Sequence, residues 1–128
     1  MTNVRACVLV IVVFAAGCSD EPLQLANIQT GRSLNSDGSI ASITTLFKPS
    51  ETIYVSVQTT GSAPGTIGVR WMYNDRVIDE PVKQVDFTGP ASTEFHMQSS
   101  GGFAEGDYTV DILINGEKVG SRAFKVGS

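Results

Sequence analysis

The sequence predicts an all-β protein, a two-sheet antiparallel sandwich of about seven or eight short strands. Three observations carry this. Val, Ile, Thr and Ser dominate the chain beyond residue 18, with 13 glycines in all and only 17% charged residues. Apolar and polar residues alternate in short runs, the period-two mark of half-buried strands, and no stretch sustains a helical period. Clusters of Gly, Pro, Asn, Asp and Ser separate the runs at short intervals.

Read in order, the runs are Leu23–Thr30, Ile40–Phe47, Thr52–Thr59, Thr66–Tyr73, Arg76–Phe87, Thr93–Gln98, Asp107–Ile114 and Lys118–Val126. Arg76–Phe87 contains Pro81, which has no N–H to give a ladder, so it breaks into two edge pieces. The turn clusters are Asn35-Ser36-Asp37-Gly38, Lys48-Pro49-Ser50, Gly61 to Gly65, Asn74-Asp75, Gly89-Pro90, Gly101-Gly102 and Asn115-Gly116. Asn115-Gly116 is the strongest local signal, since these residues tolerate the two positive φ values of a type I′ hairpin. Before it, Tyr108, Val110, Ile112 and Ile114 share one face; after it, Phe124 and Val126 do. These six are expected in the core.

Trp71 sits mid-strand behind Thr66-Ile67-Gly68-Val69-Arg70, and Val57 lies fourteen residues earlier. Gly106-Asp107-Tyr108-Thr109-Val110 places a tyrosine two residues before an apolar strand position. This pattern, from about Phe47 to Val126, resembles the immunoglobulin-like domains of bacterial secreted proteins and lipoproteins. The resemblance implies a buried Trp71 on the third strand, a tyrosine corner at Tyr108, and Val57 and Val110 where antibody domains carry cysteines. The core is then disulfide-free. The resemblance specifies fold, not function.

The N-terminus has the layout of a bacterial signal peptide: Arg5, an apolar run from Ala6 to Ala16, then Gly17 and Cys18. The run is too short for a spanning helix, which needs roughly 20 apolar residues, and Ser19-Asp20-Glu21-Pro22 ends it. The cysteine after small residues resembles a lipoprotein signal, although Ala15 stands where such signals usually carry Leu. The resemblance implies cleavage after Gly17 and a diacylglycerol on Cys18. Ser19, rather than Asp, points to the outer membrane under the enterobacterial sorting pattern. The expected organisation is therefore residues 1–17 as cleaved signal, 18–24 as lipidated N-terminus and short tether, and 25–128 as the immunoglobulin-like domain. Cys7 leaves with the signal, so no free thiol remains in the mature chain.

Cleavage takes 17 of the 128 residues and leaves 111, the size of one domain. All thirteen acidic residues lie in that part against eight of the nine basic ones, a net charge of about −5. Such a balance argues against a nucleic-acid partner. The chemical inventory is thin. His96, the single histidine, alternates outward between Phe95 and Met97, and one imidazole makes neither a metal site nor a triad. No G-x-S-x-G elbow surrounds a serine. Asp75, Asp79, Glu80 and Asp86 cluster in one strand region, where edge strands use charge to prevent aggregation; a carboxylate pair for acid–base work is the competing reading. Ser33 to Ile40 has the rhythm of a calcium loop, but Thr44 stands where the bidentate Glu belongs, and a polar turn explains it better. Neither a metal nor a cofactor is expected.

Phe103, in the glycine-rich stretch Ser99 to Gly106, is the candidate partner contact. The competing reading is a ring that plugs the open end of the sandwich. The functional expectation is a membrane-anchored, non-enzymatic binding or adaptor module for a protein or envelope polymer. The alternatives are a structural envelope lipoprotein without a ligand and, behind it, a hydrolase with an unrecognised carboxylate site. A binding module should carry an exposed apolar patch; an enzyme needs a concave pocket with convergent polar groups.

Overall fold

The computed structural model describes residues 21–128. The expected signal peptide and Cys18, the expected site of lipid attachment, lie outside the described residues. Nine strands form: β1 (Gln24–Gly31), β2 (Leu46–Phe47), β3 (Ile53–Thr60), β4 (Pro64–Tyr73), β5 (Arg76–Asp79), β6 (Val82–Asp86), β7 (Ala91–Met97), β8 (Gly106–Ile114) and β9 (Glu117–Val126). They make two sheets. One has the order β1-β3-β7; the other has the order β2-β9-β8-β4-β5, with β6 also paired to β4. All pairs are antiparallel except β2 with β9.

The alternation seen in the sequence builds the core directly. Ile28, Ile53, Val55, Val57, Phe95 and Met97 project inward from the three-stranded sheet and meet Ile67, Val69, Trp71, Val110 and Ile112 from the other. Val57, Trp71 and Val110 are fully buried, and Trp71 is the direct neighbour of Val110 across the ladder. Phe124 centres an aromatic cluster. It stacks on Tyr108 at 5.3 Å between centroids, and Phe47 and Trp71 meet it edge-on at 5.5 and 6.1 Å. Such contacts add to plain area burial. The Tyr108 hydroxyl donates to Ala104 O at 2.7 Å, the corner expected from its position.

Asn115 and Gly116 take the expected geometry, with φ of 52° and 83°, the signs a type I′ hairpin requires. Asn74 and Asp75, read from the sequence only as a turn, have the same signs at 47° and 67°. Arg76 to Asp86 breaks into β5 and β6 around Glu80-Pro81, and the two pieces pair with successive halves of β4.

One expected strand is corrected. Ile40–Phe47 is not a continuous strand; only Leu46 and Phe47 enter a sheet. Residues 30–44 instead form an irregular hairpin, held by backbone bonds from Arg32 to Ser42, Asn35 to Ser39, Ala41 to Ser33 and Thr44 to Thr30. The apolar positions Ile40, Ile43 and Leu46 fall every third residue, which a period-two strand cannot place on one face. The hairpin folds back over the outer face of the three-stranded sheet. There Ile40, 6% exposed, sits on Gly31, where a Cβ would lie 2.3 Å from the Ile40 side chain. Its tip reaches Ser92 of β7 at Gly38. Between these points it crosses β3, which explains why Ser56, on that outward face, is fully buried.

The topology separates two poles. Residues 21–24, the Gly61–Ala63 turn and the Asn115-Gly116 turn share one, where Ser62 N–H donates to Glu21 O and Thr66 N–H to Asn115 Oδ1. The other carries Lys48–Glu51, the 98–105 loop and the C-terminus, where Phe103 N–H donates to Pro49 O and Gly127 N–H to Phe47 O.

Candidate functional site

Phe103 lies at the second pole, half-buried, packed on the core with its ring edge-on to Tyr108 at 6.4 Å. The loop folds back because Ser99 Oγ donates to Gly102 O and the Phe103 amide is tied to Pro49. Phe103 therefore plugs the end of the sandwich. His96 is exposed on the outer face of β7, its Nδ1 2.8 Å from Glu94 Oε2 and its ring beside Tyr54. The calcium-like stretch is a hydrogen-bonded turn: Asp37 Oδ1 accepts from both the Ser39 amide and the Ser39 hydroxyl. These bonds hold the Asp37 carboxyl below its usual range. A groove of about 510 Å³ runs between this tip and the sheet and is lined by Asp37, Gln58, Thr60, Pro90 and Ser92, with Asp37 its single carboxylate.

The acidic strand region does not converge. Asp75, Asp79, Glu80 and Asp86 are all exposed along the β5–β6 edge. Glu80 instead pairs with Arg70 Nε at 2.8 Å. Arg70 also faces Asp111 at 3.6 Å, and Lys118 faces the same carboxylate at 3.5 Å, while Ser121 Oγ donates to it at 2.9 Å. Glu80 and then Asp111 strengthen the hold of Arg70 on its proton. Asp111 is only 5% exposed although it projects from the solvent face of its sheet. The charged ends of Arg70 and Lys118 and the Ser121 hydroxyl surround it there. Alternation with the inward Val110 and Ile112 turns Asp111 outward, and its burial follows from the cross-strand neighbours Arg70 and Ser121, which only the register reveals. The network links β4, β8 and β9 across the outer face of the sheet.

The exposed large apolar side chains are Ile43, Leu46, Val77, Ile78, Val82 and Val119. None lies in the 98–105 loop. Val77, Ile78 and Val82 follow the β5–β6 edge of the six-stranded sheet; Val119 and Leu46 follow its β9–β2 edge, with Ile43 just before β2. Beside the second edge is a shallow, mainly apolar groove of about 330 Å³, lined by Leu46, Tyr108, Thr109, Ala123 and Phe124, with Asp107 and Lys125 at its rim.

The fold is immunoglobulin-like. An immunoglobulin-like protein from Pseudomonas aeruginosa superposes with a TM-score of 0.56 at 11% identity, over 82% of this chain and 96% of that one. An alkylpurine DNA glycosylase from Pseudomonas fluorescens, solved bound to DNA containing an abasic site analog, gives 0.51 at 13% identity over 84% of this chain. A β-glucosidase from Listeria innocua, solved with glucose, gives 0.54 at 11% over 84%. The chain spans 31% of the glycosylase and 16% of the glucosidase. At these identities the likeness concerns fold alone. No protein-family model matches the chain, and no curated protein matches it by sequence.

Proposed function

We propose that this protein is a lipoprotein of the bacterial envelope, anchored through Cys18, whose immunoglobulin-like domain is a binding or adaptor module for a protein or an envelope polymer. The observation that carries the binding role is the placement of the exposed apolar side chains. Five of the six, Val77, Ile78, Val82, Leu46 and Val119, lie on the two lateral edges of one sheet, where an ordinary solvated surface scatters them singly. The polar groups, by contrast, are spent on one another, in the Asp111 network and in the Asp37 turn. The anchoring role rests on the signal-like N-terminus and on Cys18; Ser19 favours the outer membrane.

A photo-cross-linking amino acid placed singly at Val77, Leu46 or Val119 in intact cells tests the binding role. A discrete adduct from at least one of these sites, and none from the exposed loop position Ser100, is expected. No adduct from any apolar site would leave the structural-lipoprotein alternative as the better account.

A further inference from the structure

The groove beside β2 lies toward the pole that carries the C-terminus. A second, mainly apolar groove of about 210 Å³ lies at the other pole, where the described chain begins. It is lined by Thr66, Gly68, Val82, Leu113 and Gly116, with Glu80 at its inner end. The register explains its shape. Val82, Gly68 and Leu113 are direct neighbours on β6, β4 and β8. Gly68 and Leu113 face outward, because Ile67, Val69, Ile112 and Ile114 on either side of them are buried in the core. Gly68 has no side chain, so the sheet dips between the two apolar residues. A glycine inside a strand marks a place that something approaches closely. Here Val82 and Pro81 O do so from one side, 3.2 and 3.3 Å from where a Cβ would stand. Two residues along β4, the Arg70–Glu80 ion pair bounds the trough. Toward the pole it opens at Thr66 and the Asn115-Gly116 turn, where Asn115 N–H donates to Thr66 O at 2.9 Å. Val82 is 63% exposed, so this apolar wall faces water.

Position selects the occupant. Cys18 precedes Glu21 by three residues, a reach of at most about 11 Å. Glu21 O is held by the Ser62 amide, four residues from Thr66 at the mouth of the trough. Leu23 and Asn115 both lie against Gly65, so the N-terminal segment runs beside the turn that borders the mouth. The trough is smaller than the roughly 300–1,000 Å³ of small-molecule sites, and the Glu80 carboxylate within it is paired with Arg70. It suits a stretch of thin hydrocarbon. A diacylglycerol on Cys18 supplies such hydrocarbon within reach, and each methylene removed from water is stabilising.

We infer that, when the protein is out of the membrane, one acyl chain of the Cys18 lipid lies in the Gly68 trough between Val82 and Leu113. This rests on the anchored-lipoprotein reading and adds that the domain shelters part of its own anchor. In a bilayer the chain leaves the trough for the membrane, which buries it more fully.

A photo-cross-linking amino acid at Val82 of the full lipidated protein tests it. Diluted out of detergent and illuminated, position 82 should join the protein's own acyl chain. The digest should then contain a fragment that holds both residue 82 and the lipidated Cys18. In liposomes the yield should fall at least fivefold. The same probe at Leu46, beside the other groove, should give less than a tenth of the yield. Val82→Asp, read with the probe at Leu113, alters an exposed position and should cut the yield at least fivefold. A mixture of proteins with isotopically heavy and light acyl chains separates contacts within one molecule from contacts between molecules. Adducts only between molecules, equal yields at Val82 and Leu46, an undiminished yield in liposomes, or no effect of Val82→Asp would overturn the assignment. A Cys18 that carries its lipid but gives no adduct would overturn it and leave the anchored reading standing; a Cys18 without lipid would overturn both.

Discussion

Trp71 is the most heavily committed side chain in the core, and its removal has a magnitude that can be worked out. It is fully buried and meets Phe124 edge-on at 6.1 Å. A large aromatic buries roughly 150–250 Å², which at about 25 cal/mol per Å² corresponds to roughly 4–6 kcal/mol. This is an upper bound, because the unfolded chain already hides part of that area. The indole Nε1 is buried without a partner among the described residues, and losing an unpaired donor returns about 1 kcal/mol or more. Trp71→Ala should therefore cost about 3–4 kcal/mol, within the range for such truncations. Against a total of roughly 5–15 kcal/mol, with no disulfide to assist, that is a large share. With a urea slope of about 1.5–2 kcal/mol per M, the unfolding midpoint followed by circular dichroism should fall by roughly 2 M. Trp71→Phe keeps an aromatic edge on Phe124 and removes the unpaired donor, so it should cost less than half as much. In the unaltered protein the emission should be blue-shifted and poorly quenched by iodide. A loss below about 1 kcal/mol for Trp71→Ala, or a native emission like that in urea, would refute the packing argument.

Other consequences are equally specific. Gly31→Ala puts a methyl group against Ser42 O and Ile40; it should cost about 1–3 kcal/mol and speed hydrogen exchange at Arg32 and Ala41, whereas unchanged exchange would show that the hairpin does not rest on Gly31. Tyr108→Phe removes the bond to Ala104 O, should cost about 1 kcal/mol and should loosen the 98–105 loop in exchange. Burial, then the neighbouring Tyr73, raises the Tyr108 phenol above its ordinary value of 10.0. The unfolded chain therefore loses this proton first, and stability should fall as pH rises past about 10; in Tyr108→Phe that fall should be shallower. If the N-terminal pole faces the lipid, a bulky maleimide should label Ser100→Cys faster than Glu117→Cys in intact membranes and at equal rates in detergent. Faster labelling at Glu117→Cys would reverse the orientation.

The class of fold was legible because alternation, turn residues and burial agree along most of the chain. Tyr108, Val110, Ile112 and Phe124 are inward in the sequence pattern and buried in the sandwich. Asn115-Gly116 and Pro81 act locally, so their effects could be read without knowing any partner strand. The failures are non-local. The Ile40–Phe47 segment carries β-formers, yet Gly31, across a hairpin from it, provides the bare backbone on which Ile40 settles. Asp111 reads as a solvent-facing residue until β4 and β9 set Arg70, Lys118 and Ser121 around it. Phe103 reads as a plug or a contact, and its packing against Tyr108 and its tie to Pro49 join residues that only the fold brings together.

The account as a whole turns on the tether, because a binding domain at the envelope surface requires one. One acyl chain alone holds a protein only marginally, and two or more hold it stably. Intact-mass analysis of the protein extracted from membranes tests this most directly. The predicted species begins at Cys18 and carries at least a diacylglycerol, and Cys18→Ser abolishes it and moves any processed chain to the soluble fraction. A mature protein that begins at another residue, or an unmodified Cys18 in a chain that still sediments with membranes, would contradict the account.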